Sequence, residues 1–256
     1  MTDTAVESPA ATRSLDKPPF AKLVSVTPDG EVTMGYIARV SNPKGQATTT
    51  TENAARLLRY CIRHGHWSVF EHAYMTIEVN TSLYVATQML RHRAFTFQQF
   101  SQRYAAVNAL VTPAEQKTLE LSFDNGDETP ATEPTVASPW AQAIQLRMQD
   151  LRNRQNSTND CPPEVAAAFQ ARIHVHLEAT RQLYSDMLDA GIAKECARAI
   201  LPQCTTTRLY MTGNCRCWIH YIQLRTDPAT QAEHRAVALA IKDVFCAAFP
   251  TVAAAL

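Results

Sequence analysis

Between Arg91 and Tyr104 the chain reads RHRAFTFQQFSQRY, so Arg91, His92, Arg93 and Arg103 fall within thirteen positions of one another, interleaved with Gln99, Ser101 and Gln102. That density of cations and amides suits an anion, because the planar guanidinium fork gives phosphate two parallel charge-assisted hydrogen bonds. The apolar spacing just upstream predicts a helix over Leu83 to Arg93. On it Tyr84, Gln88 and Arg91 stand at i, i+4 and i+7 and share one face. An amide able to read a base edge or a sugar then sits one turn from a guanidinium able to hold a phosphate. A bare Arg-His-Arg has a second reading, a solvated basic helix end that offsets the dipole.

Charge balance bears on which anion. Lys and Arg total 24, Asp and Glu total 24, so no global positive field exists to attract nucleic acid or a membrane surface. Any anion must be met by a local cluster, for which Arg198, Arg216 and Arg225 are further candidates. Neither GxGxxG nor GxxxxGKS/T occurs, which removes the glycine-rich phosphate cradles of the Rossmann and P-loop folds. A metal is not expected. Neither His64, His66 and His72 nor Cys215-x-Cys217 with His220 forms the paired clusters of a structural zinc site, and cysteines two apart on a helix point about 200° apart. His66 reads either as a capping or core side chain after Gly65 or as a ligand contact. His174 and His176 read as surface or interface residues, and Trp218, Tyr221 and Ile222 as packing. Seven scattered cysteines, an odd number, read as reduced thiols. With no secretory signal and no apolar run of membrane length, the chain is expected in the cytoplasm.

The elements that carry these residues follow from periodicity. Met1 to Pro19, rich in Ala, Thr, Ser and Pro, predicts a flexible leader ahead of a single domain over 20–256. Ala21 to Thr27 alternates as a short strand before the Pro28-Asp29-Gly30 turn. From Thr51 to His64, Ala54, Leu57, Leu58, Cys61 and Ile62 recur at helical spacing, with Gly65 where a left-handed residue closes a helix. Met75, Ile77 and Val79 line one side of a strand over Ala73 to Val79. Residues 111–161 read as an exposed excursion, acidic and proline-rich in its first half, with a short helical pattern over Trp140 to Leu151. A long helix is expected from Pro162-Pro163 to about Asp189, ahead of Gly191. Shorter ones cover Ala193 to Ile200 and Asn214 to Arg225, and Asp227-Pro228 reads as the N-cap and first position of a last helix through Ala248. Helices dominate a minority of strands, so the expected class is α+β.

Arg91-His92-Arg93, seven intervening residues and Ser101, followed by Gln102-Arg103-Tyr104, resembles the signature of the flavin-dependent thymidylate synthases. Other segments resemble that family in its own order: Ala38-Arg39-Val40-Ser41, His64-Gly65-His66 with Phe70-Glu71-His72, ARAILP from Ala197 to Pro202, Asn214-x-Arg216, and Leu224-Arg225. The resemblance spans residues 38 to 231. It implies the family's fold, mostly helical with a small antiparallel sheet, and a homotetramer whose active sites combine residues from several subunits. It also implies synthesis of dTMP from dUMP, with 5,10-methylenetetrahydrofolate giving the carbon, NADPH the reducing equivalents and FAD the relay.

Carried over position by position, Gln88, Met89, Leu90 and Arg91, then Gln99, Phe100, Ser101, Gln102 and Arg103, with Arg198 and Arg225, would contact dUMP. Ser68, Arg91, His92, Arg93, Gln99, Asn214, Cys215, Arg216 and His220 would contact FAD. Arg225 carries the catalytic expectation, holding the N3 side of uracil and favouring its ionised form. A cysteine thiolate is the general expectation for methyl transfer to uracil. Yet no cysteine lies inside the arginine signature, and the resemblance implies chemistry without an enzyme thiol. Ser101 then reads as a hydroxyl that orients a ligand, and whether His92 could serve it as a base is not decided by sequence. Thr96, Gln99 and Gln102 differ from the commonest family residues but stay polar. Ala229 stands where several members have a histidine near the flavin, so that contact is missing here.

Overall fold

A computed structural model describes residues 20–110 and 140–256, so the leader and most of the 111–161 excursion lie outside the described residues. Strands β1 (Phe20–Val26), β2 (Tyr74–Ser82), β3 (Thr96–Gln99) and β6 (Thr206–Asn214) form one antiparallel sheet in the order β1-β2-β6-β3. β4 (Met148–Gln149) and β5 (Ser157–Thr158) make a separate two-stranded pair. The helices are α1 (Gly30–Ile37), α2 (Pro43–Ala47), α3 (Thr51–Arg63), α4 (Leu83–Met89), α5 (Pro163–Asp189), α6 (Lys194–Ala197), α7 (Cys215–Arg225) and α8 (Ala232–Ala248). The class is α+β, as the periodicity indicated. Among the described residues no helix is long and apolar enough to cross a membrane.

The spine is the β2–β6 pair, in register from Tyr74 opposite Asn214 to Ser82 opposite Thr206. Because strand side chains alternate between faces, Met75, Ile77, Val79, Leu209 and Met211 all point one way and are fully buried. The other face is polar and half-buried. Across it the Thr76 and Thr212 hydroxyls bond at 2.9 Å, the Tyr210 hydroxyl donates to Glu78 Oε2 at 2.9 Å, and Arg208 Nε donates to Asn80 Oδ1 at 3.0 Å. Cross-strand pairs of this kind contribute roughly 0.2–1 kcal/mol each.

Helices α7 and α8 pack over the apolar face with Trp218, Ile222, Ile241 and Phe245, and Leu58 of α3 belongs to the same core. Complete burial of such side chains stabilises by roughly 1.5–3 kcal/mol apiece. α3 starts in a capping box of Thr50 and Asn53 and closes at Gly65, whose φ of 68° lies in the left-handed region that glycine tolerates. A second, smaller core joins Val107, Trp140, Ala141, Tyr184, Ala197 and Cys204, and Tyr84 packs against both.

Three expectations are corrected. The helix from Leu83 ends at Met89, not Arg93. The chain tightens there, with the Arg91 amide donating to the Gln88 carbonyl at 3.3 Å, so that Phe95 can turn inward ahead of β3. Arg91 therefore lies beyond the helical face it was expected to share with Gln88. Trp140 to Leu151 is not helical. The Thr206 amide donates to the Trp140 carbonyl at 2.9 Å and the Gln142 amide to the Cys204 carbonyl at 2.8 Å, tying an extended segment to the entry of β6. Trp140 is only 5% exposed, so the exposed excursion does not reach 161 as a whole. The last helix begins at Ala232, not Asp227. The Asp227 side chain accepts from the Ala229 amide at 2.7 Å and its carbonyl from the Thr230 amide at 2.9 Å, a local turn that competes with helix initiation.

Candidate active site

β2 runs straight into α4 and β6 straight into α7, and the antiparallel register puts these two junctions at opposite ends of the pair. Asn214 fixes the second junction, its side-chain oxygen accepting from the Cys217 amide at 3.0 Å as an N-cap. Val85, Ala86 and Met89 of α4 and Trp218, Tyr221 and Ile222 of α7 share the core over the sheet. The two helices meet where the turn after α4 touches the last turn of α7. There Arg225 Nε donates to His92 Nε2 at 2.9 Å.

Aromatic packing holds that turn in place. Trp218 Nε1 donates to the carbonyls of Gly213 at 3.0 Å and Met75 at 3.2 Å, pinning α7 to the sheet. The Phe95 ring stands edge-on to Trp218 with centroids 4.6 Å apart, and the His92 ring edge-on to Tyr221 at 4.8 Å. Such pairs are worth about 0.5–1.5 kcal/mol each beyond their buried area. Phe95 fits only because residue 213 is glycine, since a Cβ there would come 2.4 Å from its ring.

Behind the turn lies a buried polar pair. His234, fully buried in the first turn of α8, bonds through Nδ1 to Gln88 Oε1 at 3.0 Å and through Nε2 to the Tyr221 hydroxyl at 3.0 Å. Burial pushes its pKa down to about 3, with the Arg225 guanidinium and His92 adding to the effect. Burial, then Arg225 and His220, push His92 down to about 4. His92 is thus a neutral ring near pH 7, accepting at Nε2 and carrying its proton on Nδ1. Burial also raises the Tyr221 hydroxyl, which stays protonated.

The remaining sequence-predicted residues fall into two further groups. Ser101 and Arg103 line a cleft of about 380 Å³ with Tyr104, Ala193, Lys194 and Glu195, and Arg103 pairs with Glu195 at 3.1 Å across it. Arg198 follows in the next turn of chain, and Gln99 Nε2 donates to Thr207 Oγ1 at 3.2 Å. Gln102 Nε2 is buried without a hydrogen-bond partner among the described residues. The third group sits at the start of α7, where Arg216 pairs with Glu71 of the 3-10 turn Trp67–Glu71 that also carries Ser68. His220 is exposed one turn further on. No side-chain hydrogen bond or ion pair joins the three groups to one another among the described residues.

Arg91, Arg93 and Arg198 are exposed and make no side-chain hydrogen bond or ion pair among the described residues, so their charge is free for a ligand. Leu90 is exposed and Phe100 half-buried. Met89 and Cys215 are fully buried, and their side chains face the core, leaving only backbone atoms for a ligand. Burial raises the thiols of Cys61, Cys204, Cys215 and Cys217, so none of these four is a ready thiolate. Ser101 is exposed and, among the described residues, not hydrogen-bonded to His92, whose Nε2 is taken by Arg225. His66 is exposed and caps nothing, against its reading as a capping or core residue. No group of three His, Cys, Asp or Glu side chains that could hold a metal ion occurs among the described residues.

Sequence reasoning missed His234 and treated Tyr221 as packing alone. One signal was present. His234 lies in phase with Val237, Ala238, Ile241 and Phe245, all buried along α8, so a titratable ring stands in an apolar stripe.

Fold and site together define an α+β protein whose exposed arginines and polar amides lie near strand-to-helix junctions, in a sequence without a glycine-rich phosphate motif. Residues 22–251 match the family model of thymidylate synthase complementing protein, and the chain belongs to that family. It is 43% identical over 243 residues to a probable flavin-dependent thymidylate synthase of Paramecium bursaria Chlorella virus 1, covering 92% of this chain and 98% of that protein. It is 42% identical over 231 residues to a flavin-dependent thymidylate synthase of Synechocystis sp., covering 90% of each. A flavin-dependent thymidylate synthase of Kosmotoga olearia is 30% identical over 226 residues, 88% of this chain and 84% of that protein.

Proposed function

We propose that this chain is a flavin-dependent thymidylate synthase, making dTMP from dUMP with 5,10-methylenetetrahydrofolate as carbon donor, NADPH as reductant and FAD as cofactor. The observation that carries the site assignment is that two long-range contacts, His92 with Arg225 and Gln88 with His234, gather these side chains at the end of α4, beside arginines whose charge nothing else among the described residues uses.

Each residue's part follows from its surroundings. Arg91, Arg103 and Arg198 neutralise the dUMP phosphate, Arg103 by exchanging Glu195 for it. Gln102 offers a buried N–H that lacks a partner, as a site awaiting a ligand oxygen would. Arg225 spends Nε on His92 and keeps both terminal nitrogens for the uracil. A fixed cation there lowers the pKa of the ring N3 and stabilises negative charge as the base is activated. Leu90, Phe100 and Ser101 shape and orient the nucleotide, Met89 through its backbone. FAD suits the residues present: Arg91, Arg93 and Arg216 supply cations for a pyrophosphate, His92, Asn214 and His220 supply ring and amide groups, and Ser68 and Gln99 complete the polar set. Bound there, FAD supplies the electron relay between NADPH and the transferred carbon.

The fold is that of the synthase family, built as one domain over 20–256, with Tyr84 joining its two cores. The assembly is a homotetramer in the cytoplasm. Its support is α5, which buries only Tyr184 along 27 residues while Val165, Phe169, Val175 and Leu183 stay exposed. Sites completed by other subunits also account for arginines left without partners in one chain.

Isothermal titration with dUMP tests the site. Arg91→Ala and Arg198→Ala are each expected to weaken binding by about 1.5–3 kcal/mol, the loss of a charged hydrogen bond. Unchanged affinity in both would remove these arginines from the nucleotide site.

A further inference from the structure

We propose that Arg147 and Glu233 are positioning residues that fix, through Gln231, the orientation of the Gln88 amide and hence what Gln88 can offer to the nucleotide. The proposal rests on Gln88 contacting dUMP. Arg147 lies in the segment after Trp140, from which the family resemblance carried over no residue.

The deduction starts from a charge pair. Arg147 is 10% exposed and its Nη2 stands 2.7 and 2.9 Å from the two carboxylate oxygens of Glu233, itself 21% exposed. A carboxylate held by a guanidinium can only accept. The 3.0 Å contact from Gln231 to Glu233 Oε2 must therefore come from Gln231 Nε2, which turns Gln231 Oε1 toward Gln88. Gln88 must answer with its Nε2, at 2.6 Å, and so turns Oε1 toward His234. His234 must then carry its proton on Nδ1, and the ring, which burial keeps neutral, accepts at Nε2 from the Tyr221 hydroxyl.

One ion pair thus settles two amide orientations, a histidine tautomer and a hydroxyl direction. Reversing any one amide sets donor against donor or acceptor against acceptor. Gln88 keeps one N–H and one lone pair free, in a fixed arrangement. A flipped amide would interchange them and present the wrong pattern to a base edge or sugar hydroxyl. Without the anchor both orientations become available, and only one matches the ligand.

The test uses the flavin-loaded enzyme with dUMP, measuring dUMP affinity, the KM for methylenetetrahydrofolate and kcat for Gln88→Ala, Gln231→Leu, their double variant, Arg147→Met and Arg147→Lys. Gln231 is exposed, so its replacement leaves the core intact. Gln231→Leu and Arg147→Met are expected to weaken dUMP about 5- to 10-fold, the scale of one hydrogen bond, with the folate KM unchanged. Arg147→Lys should recover most of the loss, and Gln231→Leu should add nothing in the Gln88→Ala background. A merely structural role would lower thermal stability without this loss of additivity. The proposal is overturned if Gln231→Leu leaves dUMP affinity unchanged while Gln88→Ala weakens it, or if the two losses multiply in the double variant. Should Arg147→Met fail to fold, Gln231→Leu and the double variant still decide. Unchanged affinity in Gln88→Ala itself would instead remove Gln88 from the nucleotide site, a distinct failure of the reading beneath.

Discussion

Mild acid should destabilise this chain through two rings, His92 and His234, that the fold holds neutral. A histidine ordinarily titrates near ~6.5, whereas in the folded chain burial holds His92 at about 4 and His234 at about 3. Between those values and 6.5 the unfolded chain binds protons that the folded chain refuses, so stability falls as pH drops through that window and is fully present above it. Each pKa unit corresponds to ~1.4 kcal/mol, so from pH 7 to pH 5 each ring can withdraw up to ~2 kcal/mol. His92 is half-exposed and its cost is partly screened by solvent, which brings the pair to about 3 kcal/mol. Against a typical total of about 5–15 kcal/mol the change is large. Urea unfolding of the flavin-free protein at fixed concentration, followed by tryptophan fluorescence at pH 7, 6 and 5, measures it. His234→Gln should remove roughly half of the pH dependence. A stability that is level from pH 7 to pH 5, or a slope that His234→Gln leaves intact, would refute the reasoning.

Three other expectations follow from contacts already described. Arg225→Ala should keep the fold yet lower kcat by about 10²–10³, the usual cost of one preorganised electrostatic group; steady-state kinetics at saturating dUMP reads it. Replacing all seven cysteines should leave dTMP synthesis detectable, because the four thiols raised by burial act as small apolar side chains. Intact-mass analysis after trapping dUMP on the wild-type enzyme would contradict this if an adduct mapped to a cysteine. Gly213→Ala should destabilise by about 1–3 kcal/mol, the cost of overpacking, since its Cβ would come 2.4 Å from Phe95; chemical denaturation checks it, and a neutral result would show the Phe95 ring free to move.

What the sequence disclosed depended on how local each signal was. The span from Arg91 to Ser101 was legible because its residues act within one short stretch, and α3 because its apolar stripe, cap and Gly65 all agree. β6 was missed because its inward positions are Thr207, Leu209, Met211 and Gly213, only two of them apolar side chains. The end of α4 at Met89 was invisible for a different reason. What stops that helix is the docking of Phe95 under Gly213, a contact 118 positions distant in the chain, and nothing in QMLRHR itself breaks a helix. Asp227-Pro228 carries a sound capping signal that a tighter Asx turn overrides. The Gln88–His234 bond joins residues 146 positions apart, and no spacing rule could have paired them.

The central claim, flavin-dependent synthesis of dTMP, is tested most directly by incubating the purified protein with dUMP, methylenetetrahydrofolate and NADPH, with and without FAD, and separating the nucleotides chromatographically. The account predicts dTMP in the complete mixture and none when flavin has been stripped and not restored, or when NADPH or the folate is omitted. Turnover undiminished in flavin-free protein, or no dTMP from flavin-loaded protein with every substrate present, would contradict it.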